Sequence, residues 1–108
     1  MSENVGTIVR PDTAEEQKTR RIPPYHVIIL NDDHHSMEFV VEVLLKVFSF
    51  KIEQCVQLMM RAHETGRSIV WTGPKEVAEL KVEQIRTFSE KKGGRDIGPL
   101  GCEIEAAA

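Results

Sequence analysis

The chain has 108 residues, 41% of them hydrophobic and 29% charged, with a formal net charge of −3 and a pI near 5.8. Those figures predict one small soluble domain with a single core, and they argue against a general nucleic-acid binder, which would present a basic face. No apolar run approaches the roughly 20 residues of a membrane helix. The N-terminus lacks the apolar segment of a signal peptide, and Glu3, Asp12, Glu15 and Glu16 make it too acidic for an organelle transit peptide, so the expected location is the cytoplasm.

Residues 1–24 carry few large apolar side chains and end in Ile22-Pro23-Pro24, which excludes helix. They predict a flexible leader outside the domain, without a role or as a tether that another protein grips. The domain is expected to run from 25 to 105. Residues 25–30, with Val27-Ile28-Ile29-Leu30, predict a central strand. Ser36 is placed to cap a helix opening near Met37, and Met37, Val40, Val41, Leu44, Leu45 and Phe48 follow helical spacing to a break at Ser49-Phe50-Lys51.

A second helix is expected over 52–64, with Ile52, Cys55, Val56, Met59, Met60 and His63 on its apolar face and Gly66 as its left-handed stop. Residues 67–72 predict a second strand. Pro74 then suits the first position of a third helix, whose inward side is Val77, Ala78, Val82, Ile85 and Phe88. Residues 89–99 predict a flexible loop, and 100–105 a last strand. This order predicts an α+β fold: a three-stranded antiparallel sheet packed against three helices, behind a disordered N-terminal extension.

Proton-exchanging and hydrogen-bonding side chains concentrate where the first strand stops and the first helix starts, in Asn31-Asp32-Asp33-His34-His35-Ser36. Such a run suits a metal site, a cradle for a cation, or only a polar turn with a helix cap. Asp32, Asp33, His34, His35 and a remote His63 supply ligand types for zinc. Adjacent histidines project in different directions, however, and no HExxH spacing exists. Neither Cys55 nor Cys102 has an activating motif, and they read as reduced, packed thiols. No glycine-rich loop leads into a helix to bind phosphate.

Asn31-Asp32-Asp33, Met37-Glu38-Phe39-Val40, Gln57-Leu58-Met59, His63, Gly66, Glu76-Val77-Ala78-Glu79 and Lys81-Val82, in that order and spacing, resemble the bacterial ClpS adaptor family over residues 24–105. The resemblance implies a monomeric, cofactor-free adaptor without enzymatic activity. It would hold proteins whose first residue is Leu, Phe, Tyr or Trp. These it would pass to the N-terminal domain of a Clp ATPase, ClpA or ClpC, for degradation by ClpP. By the same resemblance Asn31, Asp32 and His63 would accept hydrogen bonds from the ligand's α-ammonium group. Asp33, His35, Met37, Val40, Met59, Ala62 and Leu100 would line or rim a pocket for its first side chain, and Glu76 and Lys81 would dock on the ATPase. The chain departs from the family's common pattern at His34-His35-Ser36, where an aromatic residue, Thr and Pro are usual, and at Ala62, where Val is common. The alternatives are an interaction domain of the same fold without N-terminal recognition, and a small metal-dependent enzyme using Asp32, Asp33, His34 and His35.

Overall fold

Val27, Ile28 and Ile29 have no exposed surface, because the strand that carries them is covered on both edges. The computed structural model describes residues 22–107, so all but the last three residues of the expected leader lie outside the described residues. Strand β1 (Tyr25–Leu30) runs antiparallel to both neighbours, β2 (Arg67–Gly73) and β5 (Cys102–Ala106), in the order β2-β1-β5. Side chains alternate along a strand; Val27 and Ile29 therefore join the core under the helices, while Ile28 takes the other face. A bulge in β2, between the partners of Val27 and Ile28, turns Val70 inward.

Three helices cover the core face: α1 (Met37–Phe48), α2 (Ile52–Thr65) and α3 (Lys75–Arg86). The fold is α+β, as the order of elements predicts. The inward stripes differ in detail. Helix α1 is apolar on nearly every side, so two overlapping stripes fit its 3.6-residue period. The packed one is Phe39, Val40, Val43, Leu44 and Val47, whereas Met37 remains 43% exposed. On α2 the inward residues are Cys55, Met59 and Ala62, and Ile52, Val56 and His63 are exposed. On α3 Ala78, Val82 and Ile85 are buried as expected, but Val77 faces out. Gly66 ends α2 with φ at 96°, the expected left-handed stop. Pro74 is the N-cap of α3, one residue earlier than its spacing suggests.

The stretch expected as a loop is a second small sheet. β3 (Ser89–Lys92) and β4 (Arg95–Pro99) form a hairpin closed by Gly93 and Gly94, with φ of 55° and 81°. Two consecutive positive φ values are the requirement of a type I′ turn, and glycine supplies both without strain. The charged flanks Glu90-Lys91-Lys92 and Arg95-Asp96 hide that signal, since a solvent-exposed ribbon need not show apolar alternation. The last strand starts at Cys102, two residues later than expected, which leaves Leu100 free to turn into the core.

Candidate functional site

Six residues join the end of β1 to the start of α1. Asp32 shapes the turn: its Oδ1 accepts the backbone N–H groups of His34 and His35, both at 2.8 Å. A short carboxylate that bonds its own backbone is a frequent turn device. Ser36 caps α1 by accepting the Phe39 N–H at 3.1 Å. In a capping box a glutamate three residues on would meet the cap's own N–H. Phe39 occupies that position, and Glu90 of β3 performs the task instead. Its carboxylate accepts the Ser36 N–H at 2.9 Å and the Ser36 hydroxyl at 2.6 Å. Thus the hairpin that sequence periodicity missed fastens the start of α1.

His35 makes the second fastening. Its Nδ1 lies 2.8 Å from Asp32 Oδ2, its Nε2 lies 2.9 Å from the Gly98 carbonyl oxygen at the end of β4, and its ring stacks on Phe39. Burial pulls the His35 pKa down, but the Gly98 carbonyl, the Asp32 carboxylate and the charge of Glu90 outweigh it and raise the value above 6.5. Burial likewise pushes Asp32 up. The two backbone amides and the imidazole outweigh it, holding the carboxyl below 3.8. A raised histidine stabilises the fold below its unfolded pKa and loses that contribution as pH rises through the folded value. A depressed carboxyl does the reverse, losing its contribution as pH falls through its folded value. The pair therefore contributes fully between about pH 3.8 and 6.5 and weakens on either side.

Beside this turn lies a pocket of about 200 Å³. Its apolar depth is made by Val40 of α1, Met59 and Ala62 of α2, and Leu100, all of them buried. Asn31, Asp32, Asp33 and His35 from the turn, His63 from the last turn of α2, and Met37 at the start of α1 also line it. All ten residues expected around the pocket therefore meet in one place. Two more, Ile29 and Leu30, also line it; they are the last residues of β1, and their position beside the turn is the signal that could have found them. The volume is below the roughly 300–1,000 Å³ of small-molecule sites, and suits one side chain.

Glu76 and Lys81 stand apart from the pocket, on α3. Glu76 is exposed in the first turn. Lys81 is half-buried, its Nζ donating to the Val47 carbonyl at 3.1 Å and lying 5.5 Å from the Phe48 ring. A cation there meets the free carbonyls at the C-terminus of α1, so Lys81 has a structural task of its own. Among the described residues no group of three His, Cys, Asp or Glu side chains is placed to hold a metal ion. Both cysteines are buried, and burial pushes each thiol pKa up, away from nucleophilic character.

An apolar pocket for one side chain, rimmed by hydrogen-bond acceptors and set in a small α+β domain, defines a recognition module. Residues 20–103 match the family model of the ATP-dependent Clp protease adaptor protein ClpS. The ATP-dependent Clp protease adapter protein ClpS of Vibrio cholerae serotype O1 is 41% identical over 98 residues, covering 89% of each chain. That of Pectobacterium carotovorum subsp. carotovorum is 41% identical over 97 residues, covering 88% of each. The solved structure of Agrobacterium tumefaciens ClpS2 bound to L-phenylalaninamide matches with a TM-score of 0.70 at 31% identity, over 80% of this chain and 99% of that one. The chain belongs to the ClpS family, and is a Clp protease adaptor rather than an enzyme.

Proposed function

We propose that this adaptor holds the first residue of a protein substrate in the pocket between β1, α1 and α2. The observation that carries the reading is the split character of the pocket: a buried apolar depth under a rim bearing Asn31, Asp32 and His63. Such a rim offers acceptors to the three donors of an α-ammonium group while the side chain fills the depth. That a related adaptor was solved with L-phenylalaninamide, which combines a free α-amine with an aromatic side chain, supports the same assignment. Leu, Phe, Tyr and Trp are the first residues that suit it. Burying such a side chain contributes about 1.5–3 kcal/mol, and each hydrogen bond to the charged amine about 1.5–3 kcal/mol. The cost of association subtracts from that sum, which suits a carrier that must release its cargo.

The bound protein then passes, in the cytoplasm, from a monomeric adaptor to the N-terminal domain of ClpA or ClpC for degradation by ClpP. Exposed Glu76 in the first turn of α3 and Lys81 five residues on offer the docking contact. Residues 1–24 serve as the tether and residues 25–105 as the recognition unit. The test of recognition is titration of the full chain with a Phe-initiated peptide, once with a free and once with an acetylated N-terminus. Acetylation removes the charge and two donors, so the expected loss is at least about tenfold, the equivalent of one hydrogen bond to a charged group. Equal affinity for the two peptides would dismiss the ammonium cradle.

A further inference from the structure

The geometry points to His35 as a competitor built into the recognition site: its imidazolium occupies the Asp32 carboxylate that a ligand's α-ammonium group needs, so ligand binding and His35 protonation oppose one another. The inference rests on the N-terminal recognition just described, and it names what regulates that site.

Both ring nitrogens of His35 face acceptors, Nδ1 toward Asp32 Oδ2 at 2.8 Å and Nε2 toward the Gly98 carbonyl at 2.9 Å. A neutral imidazole has one N–H and leaves one of these contacts without a proton; the imidazolium satisfies both. The His35 side chain is 6% exposed, so water has little access to its ring nitrogens. Asp32, for its part, is nearly filled. Oδ1 already accepts two backbone amides, and a carboxylate accepts about four hydrogen bonds in all. An arriving ammonium group must therefore share Oδ2 with His35, which places two cations on one oxygen.

The surrounding charges fix the sign. Asp33 of the same turn and His63 of α2 line the pocket. From β3, Glu90 adds negative charge near the ring, while Lys92 donates to the His34 carbonyl and its charge acts on Glu90. From β4, the Gly98 carbonyl faces the ring, and Asp96 accepts the Gly98 N–H. From α1 the neighbour is the uncharged Phe39 ring. In the free protein these groups favour the imidazolium. A bound ammonium group at Asp32 disfavours it, and binding releases a proton from His35. Once neutral, His35 can keep Nδ1–H on Asp32 and surrender only the Gly98 contact, so the turn that presents Asp32 survives ligand binding.

The experiment measures dissociation constants of a free-amine Phe peptide for the full chain and for His35→Gln between pH 8 and 5.5. The titration of the peptide amine enters both proteins and cancels in the ratio. Wild type should lose about tenfold more affinity than the variant over that range, the effect of a one-unit coupling between two titrations. Imidazole NMR of the wild type, free and saturated with peptide, is the second readout and does not depend on the variant's folding. The His35 pKa should be about one unit lower in the complex, by reciprocity of the same coupling. Superimposable pH profiles, or a His35 pKa that the peptide leaves unchanged or raises, would overturn the competitor role. A wild type that distinguishes free from acetylated peptide while those profiles coincide sinks that role alone. One that does not distinguish them at any pH sinks N-terminal recognition as well.

Discussion

Asp32→Ala should lower affinity for a free N-terminus by about 100-fold, or about 2.7 kcal/mol, with the fold retained. Two losses combine. An acceptor for the ammonium group disappears, worth about 1.5–3 kcal/mol when the donor is charged. In addition the N–H groups of His34 and His35 and the Nδ1 of His35 lose their common partner. The turn then no longer holds Asn31 and Asp33 in place. The core does not feel the change, because its buried residues belong to the strands, the three helices and Leu100, whereas the Asp32 side chain is 29% exposed. Asp32→Asn separates the two losses. It keeps an oxygen for the two amides but removes the charge, so it should cost about tenfold, near the lower end for a charge-assisted bond. Peptide titration beside thermal melting checks both. Wild-type affinity in a folded Asp32→Ala would remove this carboxylate from recognition.

Discrimination between first residues is the other large effect. Met37 is the first residue of α1, 43% exposed, and lines the pocket together with the buried Val40 and Met59. At the mouth, a ligand side chain that is unbranched at Cβ passes the thioether, whereas the second Cβ substituent of Val or Ile meets it. A misfit of that size in an apolar pocket gives about 1–3 kcal/mol, or roughly 10- to 200-fold. Leu, Phe, Tyr and Trp should therefore bind well and Ile and Val poorly. Met37→Ala should raise affinity for Ile and Val while weakening Leu. Because Ala62 is a small residue in the pocket wall, the larger rings should lose least. Dissociation constants for one peptide with each first residue, on wild type and Met37→Ala, read this directly. Equal affinity of the wild type for Leu and Ile would show that no gate exists.

What the sequence disclosed and what it hid follow from which signals are local. Strand β1 was legible because β-branched residues on both faces mark a strand covered on both sides. Gly66 was legible because a left-handed residue leaves few options besides glycine. The position of the polar turn was legible too, since Asn, Asp and Ser carry their own backbone-bonding preference. The inward stripe of α1 was not. With Val40, Val41, Val43, Leu44 and Leu45 nearly contiguous, rotation about the helix axis is set by what the helix packs against, and the sequence cannot rank the choices. The hairpin was hidden because its register depends on two glycines and not on apolar alternation. The expected pocket residues came from resemblance. Their convergence joins segments that no periodicity links: His35 meets Gly98 across 63 positions of sequence.

The Glu90 clamp on Ser36 bears on when the molecule becomes competent during its synthesis. The residue that completes the start of α1 lies 54 positions downstream of it, and Leu100 and Gly98 follow later still. Contacts of such separation are slow to form, since a long loop must close before they contribute. A chain emerging from the ribosome can pair β1 with β2 and pack all three helices before any of those residues is available. Recognition is then acquired only with the final stretch of the chain, together with β5. An unfinished adaptor carries the scaffold but offers no closed pocket to a substrate or to its own nascent neighbours. In refolding followed by pulsed hydrogen exchange, the Ser36 amide, whose partner is Glu90, should gain protection after the amides that join β1 to β2. Simultaneous protection would show that the turn orders without the hairpin.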